Sequence, residues 1–318
     1  MRIKEGARTY GLGVGFANNV EITMNRRNRY GNTGMQLLKE KGMEFVHGNE
    51  KADVGISNHG ARVKGLLRSQ CILLRMEPPI YNIFWGRNIN KRRYMKKYKA
   101  TLSAQDLYDD SYHYLYPSFK CELINEYLDR RKDNLLCMIL KNKNITIFLN
   151  NFFPSLRKYN KHSNMKIRVE ADKTFCNLLG RNKYHSYGRG WDERCFRGSP
   201  PGKNLYDIIS RHKFVFCPEN SSFDGYITEK PIDAMCCGSV PIYLGAPDVD
   251  KYLPKGTFID YRYFTPEELV EYIKTMSDKT YEVYQKNIKK FIESKKIDKF
   301  SSVAFAKKLI KVIEEKVE

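Results

Sequence analysis

The sequence predicts an α/β protein built on parallel sheets with crossover helices. Short apolar runs alternate with helical stretches along most of the chain, and this alternation is typical of strand–helix–strand units. The 318 residues, of which 42% are hydrophobic, allow a sizeable core. A chain of this length forms one large domain or two domains of about 150 residues each.

The first part of the chain contains three apolar runs that predict strands, at residues 10–16, 52–56 and 71–76. Residues 35–41 have the pattern of a helix. The third run ends before Pro78 and Pro79, because proline cannot donate a hydrogen bond to a central ladder.

A polar stretch at residues 129–134 precedes two further apolar runs, 135–140 and 145–149. We therefore expect two domains, residues 1–142 and 143–318. The later predicted elements are a helix at 168–179, a loop at 187–190, a helix at 205–210 and a closing helix with its apolar face between 306 and 317. The closing helix, capped by Ser301 or Ser302, is expected to pack on a domain, with the N-terminal domain as one option.

The most informative segment is residues 214–247. Its apolar start, 214–217, predicts a buried strand that breaks into a polar loop. Thr228 occupies the position of a helix N-cap, Gly238 ends that helix, and residues 240–244 predict a second strand. A strand–loop–helix unit places backbone N–H groups and the positive end of a helix beside the loop, which suits a pyrophosphate.

This pattern resembles the alpha-1,3/1,4-fucosyltransferase family, whose members transfer fucose from GDP-fucose to a sugar hydroxyl. The matching residues are 219–221, 225–230, 240–245, Pro254 and 258–259. The resemblance implies a GT-B-type architecture, with two Rossmann-like domains whose parallel sheets face each other across a cleft. The N-terminal domain would bind the acceptor and the C-terminal domain the GDP-sugar donor.

The resemblance also implies a catalytic base and a phosphate-binding arginine. Glu77 follows the predicted strand 71–76 and would be the general base, although this chain has Glu-Pro-Pro where the family has Glu-Ser-Pro or a similar sequence. Arg168 would bind phosphate. Its spacing to the following residues is longer than in the family, so Arg181 or Arg189 could take that role instead.

Within the motif, the resemblance implies that Glu229 binds the ribose of the guanosine, while Asn220 and Tyr226 contact the sugar or the phosphates. Thr228 would lie in the donor pocket. Each residue also has a structural interpretation: Asn220 could form a turn, Tyr226 could belong to the core, and Glu229 could interact with the helix dipole.

A diphosphate that leaves during sugar transfer needs positive charge around it. Lys230 is expected to supply a mobile cation at the helix start. The Asp-x-Asp sequence at 248–250 lies in a surface-type loop, and the resemblance implies that it is not a metal ligand, so neither a metal ion nor a cofactor is expected. Asn150 and Asn151 match a family Ser-Asn position only loosely, and they could line the donor pocket or cap a turn.

Taken together, these features predict an inverting glycosyltransferase that moves L-fucose from GDP-fucose to an acceptor glycan hydroxyl, with an alpha-1,3-type linkage. The reaction would be one direct displacement with Glu77 as base. One alternative is another GDP-sugar or nucleotide-sugar as donor. Another is a basic nucleic-acid-binding protein, but no recognised nucleic-acid motif is present, and nucleic acid is not an expected partner.

The formal net charge is +20 and the pI is near 9.5, which favours anionic partners. Residues 87–99 hold seven basic side chains and no acidic one. This run is either a solvated face or a surface that steers an anionic donor or contacts an acidic membrane.

The sequence predicts a cytoplasmic location. It contains no apolar stretch of about 18 residues, and its start lacks the apolar core of a signal peptide. Several cysteines lie in apolar segments, where buried free thiols are more common than a disulfide framework: Cys71, Cys137, Cys217, Cys236 and Cys237.

Overall fold

The computed structural model describes residues 1–6, 31–46, 51–58, 63–76, 92–106, 111–118, 121–142, 160–199 and 204–317. Two parallel β-sheets with helices packed on them dominate these ranges, which confirms the α/β prediction. The strands are β1 (Arg2–Gly6), β2 (Glu44–Val46), β3 (Val54–Asn58), β4 (Cys71–Arg75), β5 (Ala100–Ser103), β6 (Tyr112–His113), β7 (Asn134–Ile139), β8 (Tyr184–Tyr187), β9 (His212–Pro218), β10 (Val240–Leu244) and β11 (Ile259–Asp260).

The helices of the same ranges connect these strands or cover the sheets. They are α1 (Gly31–Glu40), α2 (Arg92–Met95), α3 (Cys121–Tyr127), α4 (Met165–Lys183), α5 (Asn204–Ser210), α6 (Glu229–Cys236), α7 (Pro266–Thr275), α8 (Asp278–Glu293) and α9 (Ser302–Lys316). Most of the sequence-predicted elements within the described ranges correspond to one of these. The predicted strands at 10–16 and 145–149 lie outside the described residues.

The first sheet has the strand order β2-β1-β3-β4-β5-β6, and all its described pairs are parallel. Every residue of β4 is buried, with Ile72 opposite Ile56 on one side and Ala100 on the other. A parallel strand covered on both faces requires an almost continuous apolar run, and the sequence 71–75 provides one.

The last helix, α9, packs on this first sheet. Its buried side chains Phe305, Leu309 and Ile313 belong to the same hydrophobic cluster as Ile3 of β1. The Ser301 hydroxyl accepts a hydrogen bond from the Ala304 N–H at 3.1 Å, which caps the helix start. The chain therefore returns to the N-terminal half after completing the second sheet.

The second sheet has the strand order β11-β10-β9-β7-β8, with β9 at its centre. Strand β7 lies before the predicted domain division at 142/143, yet it pairs with β8 and β9. The change from one sheet to the other thus occurs between β6 and β7. The polar stretch at residues 129–134, near which the boundary was predicted, leads directly into β7, so that β7 belongs to the second sheet.

The five cysteines predicted to be buried free thiols are free and buried, which confirms that expectation: Cys71, Cys137, Cys217, Cys236 and Cys237. Cys176 of α4 and Cys195, which follows β8, form a disulfide that the sequence pattern did not predict. Disulfides persist mainly in oxidising compartments. The cysteine content therefore gives no support to the expected cytoplasmic location.

None of the helices within the described ranges combines the length and apolar character needed to cross a bilayer. In the basic run at 87–99, Lys96, Lys97 and Lys99 are exposed. Exposed lysines fit a solvated face, and the steering or membrane role of this run stays a prediction.

A pair formed by the buried His212 and the half-buried His185 lies at the amino end of β9, and it makes stability depend on pH. His212 donates from Nδ1 to the Ile208 carbonyl (2.7 Å), and His185 Nδ1 donates to His212 Nε2 (2.8 Å). Burial lowers the pKa of His212 to about 4, and the nearby His185 and Lys132 add to this effect.

We predict that the free energy of unfolding falls as the pH drops from 6.5 towards 4. In this range His212 binds a proton in the unfolded chain but stays neutral in the folded protein. The loss from this residue is at most about 3 kcal/mol. Urea denaturation across this pH range measures it. His212→Gln should flatten the pH dependence, and an unchanged slope in that variant would show that other groups cause it.

Candidate functional site

The candidate site lies where β9 and β10 end and α6 begins. Residues 219–228, here called the motif loop, leave the carboxyl end of β9 and lead directly into α6. Ligands of open parallel sheets bind beside the carboxyl ends of the strands. The predicted order of strand, loop, N-cap at Thr228, helix and second strand agrees with this arrangement.

Glu219 is the first residue of the motif loop, and its side chain is fully buried. Its carboxylate accepts hydrogen bonds from the Thr228 N–H and hydroxyl, both at 2.8 Å, and from the Lys230 ammonium at 2.9 Å. Its backbone N–H donates to the Leu244 carbonyl of β10 at 2.6 Å. The residue therefore connects the loop, the helix start and the neighbouring strand.

Lys230 is not the mobile cation that the sequence suggested. Its ammonium is held by Glu219 and by the Thr228 hydroxyl (2.7 Å), and 18% of the side chain is exposed. Burial by itself lowers the pKa of Lys230, but the negative charges of Glu219 and Glu229 outweigh burial, so that the pKa is raised overall. Lys230 is therefore a fixed cation.

Arg168, on the first turn of α4, lies beside the same strand end. Its side chain is buried, and Nη2 donates to the Pro218 carbonyl, the last residue of β9, at 2.5 Å. Its positive charge acts on Lys230 by lowering that residue's pKa. The structure thus brings two cations together at the carboxyl end of β9.

The other two candidate arginines lie elsewhere. Arg181 precedes β8 and so stands at the opposite, amino edge of the sheet. Arg189 follows β8 and is exposed, and its carbonyl accepts from the Asn142 N–H at 3.1 Å. Since β7 separates β8 from β9, Arg168 fits the proposed phosphate position better than either residue.

Asn164, a residue that sequence reasoning missed, holds the first part of the motif loop. Its amide donates to the Glu219 carbonyl at 3.1 Å, and its backbone N–H donates to the Asn220 carbonyl at 3.0 Å. The Ser222 hydroxyl donates to its side-chain oxygen at 3.1 Å. Asn220, predicted to contact the donor, is 8% exposed and is held by these contacts with Asn164.

Tyr226, also predicted to contact the donor, has its side chain in the hydrophobic cluster of the first sheet and is 2% exposed. Phe223 lies in the same cluster and stacks on His162 with a ring-centre distance of 4.5 Å. The structure therefore favours the core interpretation of Tyr226. Both aromatic residues anchor the motif loop in the N-terminal half.

Gly225 sits at the contact between the motif loop and β6. His113 Nε2–H donates to its carbonyl (3.2 Å), and its own N–H donates to the Asp248 carboxylate (2.8 Å). Asp248 also pairs with Lys251 at 3.5 Å. The first carboxylate of the Asp-x-Asp sequence thus fixes the loop, and within the described ranges no group of three or more His, Cys, Asp or Glu side chains forms a metal site.

Glu229, the first residue of α6, is half-buried and close enough to Lys230 to raise its pKa. Thr228 is buried. Its hydroxyl donates to Glu219 and accepts from Lys230, and it does not cap α6. Glu77, Asn150 and Asn151 lie outside the described residues. Of the residues that make the contacts described above, Glu219 is the one whose role the sequence could have indicated, because its carboxylate directly follows a buried strand.

Residues 157–313 match the model of glycosyltransferase family 10 (fucosyltransferase), C-terminal part. This segment contains Arg168, the motif loop and α6. It begins after the first sheet, so Glu77 lies outside it.

Two curated proteins are similar to parts of this chain. GDP-fucose protein O-fucosyltransferase 3 of Gallus gallus is 38% identical over 85 residues, which cover 26% of this chain and 18% of that protein. The 4-galactosyl-N-acetylglucosaminide 3-alpha-L-fucosyltransferase 9 of Bos taurus is 31% identical over 156 residues, or 48% of this chain and 36% of that protein. The matched segments therefore span well under half the length of these relatives.

The crystal structure of an alpha1,3-fucosyltransferase with GDP-fucose resembles the whole chain. The TM-score is 0.55 at 15% sequence identity, with 100% of this chain and 90% of that chain covered. Identity this low shows the fold alone. The likeness confirms the GT-B-type fold that the motif implied.

The contact at Gly225 predicts a position that tolerates no side chain. Its φ is +68°, and an added Cβ would lie 2.4 Å from His113 Nε2. Positive φ by itself costs a non-glycine residue about 1–3 kcal/mol. We expect Gly225→Ala to lower the free energy of unfolding by more than about 1 kcal/mol, because the clash with His113 adds to the cost of the positive φ.

Gly42→Ala is the matched control, since Gly42 has a φ of +69° and nothing within 4 Å of an added Cβ. Urea denaturation of both variants separates the backbone cost from the clash. Equal losses at the two positions would mean that the motif loop is not pressed against β6.

Proposed function

We propose that the protein transfers L-fucose from GDP-fucose to a hydroxyl of an acceptor glycan, because residues 157–313 match the model of glycosyltransferase family 10 (fucosyltransferase). The observation that carries this proposal is the pair of cations, Arg168 and Lys230, at the carboxyl end of β9 beside the start of α6. A diphosphate bound there would meet two positive charges and the positive end of a helix.

The two carboxylates nearest this position have different environments. Glu219 is buried and ion-paired with Lys230, so its carboxylate is not assigned a contact with the donor. Glu229 is half-buried at the helix start. In the proposal, Glu229 accepts hydrogen bonds from the ribose hydroxyls of GDP, and Asn220 lines the donor pocket.

The first sheet would carry the acceptor and the base. The segment that follows the carboxyl end of β5 contacts the motif loop, since the Asp106 N–H donates to the Asp224 carbonyl at 2.9 Å. The neighbouring Gln105 donates from its amide to the Met76 carbonyl at 3.3 Å. Glu77 is the next residue of the chain after Met76, and this position of Met76 supports the assignment of Glu77 as general base.

The proposed reaction is a single displacement with inversion that forms an alpha-1,3-type linkage. The acceptor hydroxyl oxygen attacks the anomeric carbon of fucose as its proton passes to the Glu77 carboxylate. The bond from that carbon to the β-phosphate oxygen breaks, and GDP leaves with the electron pair. Arg168 and Lys230 stabilise the growing negative charge on the diphosphate, so that no metal ion is required.

We predict that the protein adds fucose to a glycan acceptor when supplied with GDP-fucose, and that Glu77→Gln slows turnover by about 10²- to 10⁴-fold. Affinity for GDP should stay at the wild-type value, because the base contacts the acceptor rather than the nucleotide. Mass spectrometry of an acceptor panel measures transfer, and calorimetry measures GDP binding.

Glu271→Gln, an exposed position on α7, is the control for removing one carboxylate. A Glu77→Gln variant with wild-type turnover would reject Glu77 as the base. Transfer from UDP-sugars or from GDP-mannose, with none from GDP-fucose, would reject fucose as the sugar that is transferred.

A further inference from the structure

Glu219 is a charged side chain with no exposure to water. A buried carboxylate is stable only when positive charge and hydrogen-bond donors replace its hydration. All of its side-chain contacts described above come from two residues, Thr228 and Lys230, at the start of α6. The energy of keeping Glu219 charged thus depends on the residues that would meet the diphosphate.

The dependence also runs the other way. Lys230 is largely buried and lies near the positive charge of Arg168, and both conditions favour loss of its proton. The carboxylate of Glu219 at 2.9 Å offsets them. Without Glu219, Glu229 alone would remain of the two negative charges described above as raising the pKa of Lys230.

We infer that Glu219 is a positioning residue, which holds the Lys230 ammonium and the Thr228 hydroxyl in the arrangement that receives the donor diphosphate. It acts through Lys230 and does not contact the donor. This inference rests on the proposed function for the nature of the anion. Lys230 gives up its side-chain freedom when the protein folds, so that ordering it adds no cost when the diphosphate binds.

The test is a double-mutant cycle on Glu219 and Lys230, with inorganic pyrophosphate and GDP as probes in calorimetry. In the wild-type background, Glu219→Gln should weaken binding of both probes about 10- to 100-fold, because Lys230 loses its counter-charge and its fixed position. In the Lys230→Met background, Glu219→Gln should instead strengthen binding, since it removes an uncompensated buried carboxylate that repels the anion.

Weaker binding in both backgrounds would overturn the inference, because a residue needed only for folding lowers affinity whatever occupies position 230. Thermal melts establish that each variant is folded. If Lys230→Met does not fold, proton uptake decides. Binding to Glu219→Gln at pH 8 should take up more protons than binding to wild type, as Lys230 regains its proton, and equal uptake would overturn the inference.

Glu268→Gln is the matched control. Glu268 accepts from the Thr265 N–H at 2.8 Å and from its hydroxyl at 3.0 Å, the same two donor groups that Thr228 offers to Glu219. It lies at the start of α7, away from the motif loop, and its loss should leave both affinities unchanged.

The two probes separate this inference from the proposed function. Pyrophosphate that follows the expected cycle while GDP binds no better than pyrophosphate would support the role of Glu219 and reject a guanosine nucleotide as donor. A wild-type protein that binds neither probe would overturn both.

Discussion

The buried ion pair between Glu219 and Lys230 is the interaction on which the site depends. A carboxylate without water requires donors on all sides, and here they come from the N-cap and the first turn of α6. The pair therefore determines how α6 joins β9. It also places a cation beside Arg168, and these two positive charges are the basis of the proposed diphosphate site.

The motif loop belongs to both halves of the molecule. Its ends extend from β9 and α6 of the second sheet, while Phe223 and Tyr226 lie in the hydrophobic cluster of the first. Helix α9 crosses back to that same cluster. A donor site built on this loop is thus fixed relative to the strand ends that would carry the acceptor, which suits a transfer between two bound substrates.

Much of this region could be predicted from sequence, because its signals are local. An apolar run, an N-cap threonine, a glycine after the helix and a second apolar run follow one another within 214–244. What escaped prediction depends on partners distant in the chain. Lys230 looked mobile because its pairing with Glu219 needs the loop to fold back on itself, and Tyr226 looked like a ligand contact because its core partners come from the first sheet and α9.

The same reason explains the missed elements of the first sheet and the missed disulfide. Strand β6 has two residues and no periodic pattern of its own, and only its pairing with β5 makes it a strand. Cys176 and Cys195 are joined by the packing of α4 against β8.

A crystal structure with GDP-fucose tests the proposed donor site most directly. We expect the diphosphate within hydrogen-bond distance of Arg168 and Lys230, with the Glu219–Lys230 pair intact. A diphosphate bound elsewhere, or a Lys230 that leaves Glu219 to reach it, would contradict the proposed site.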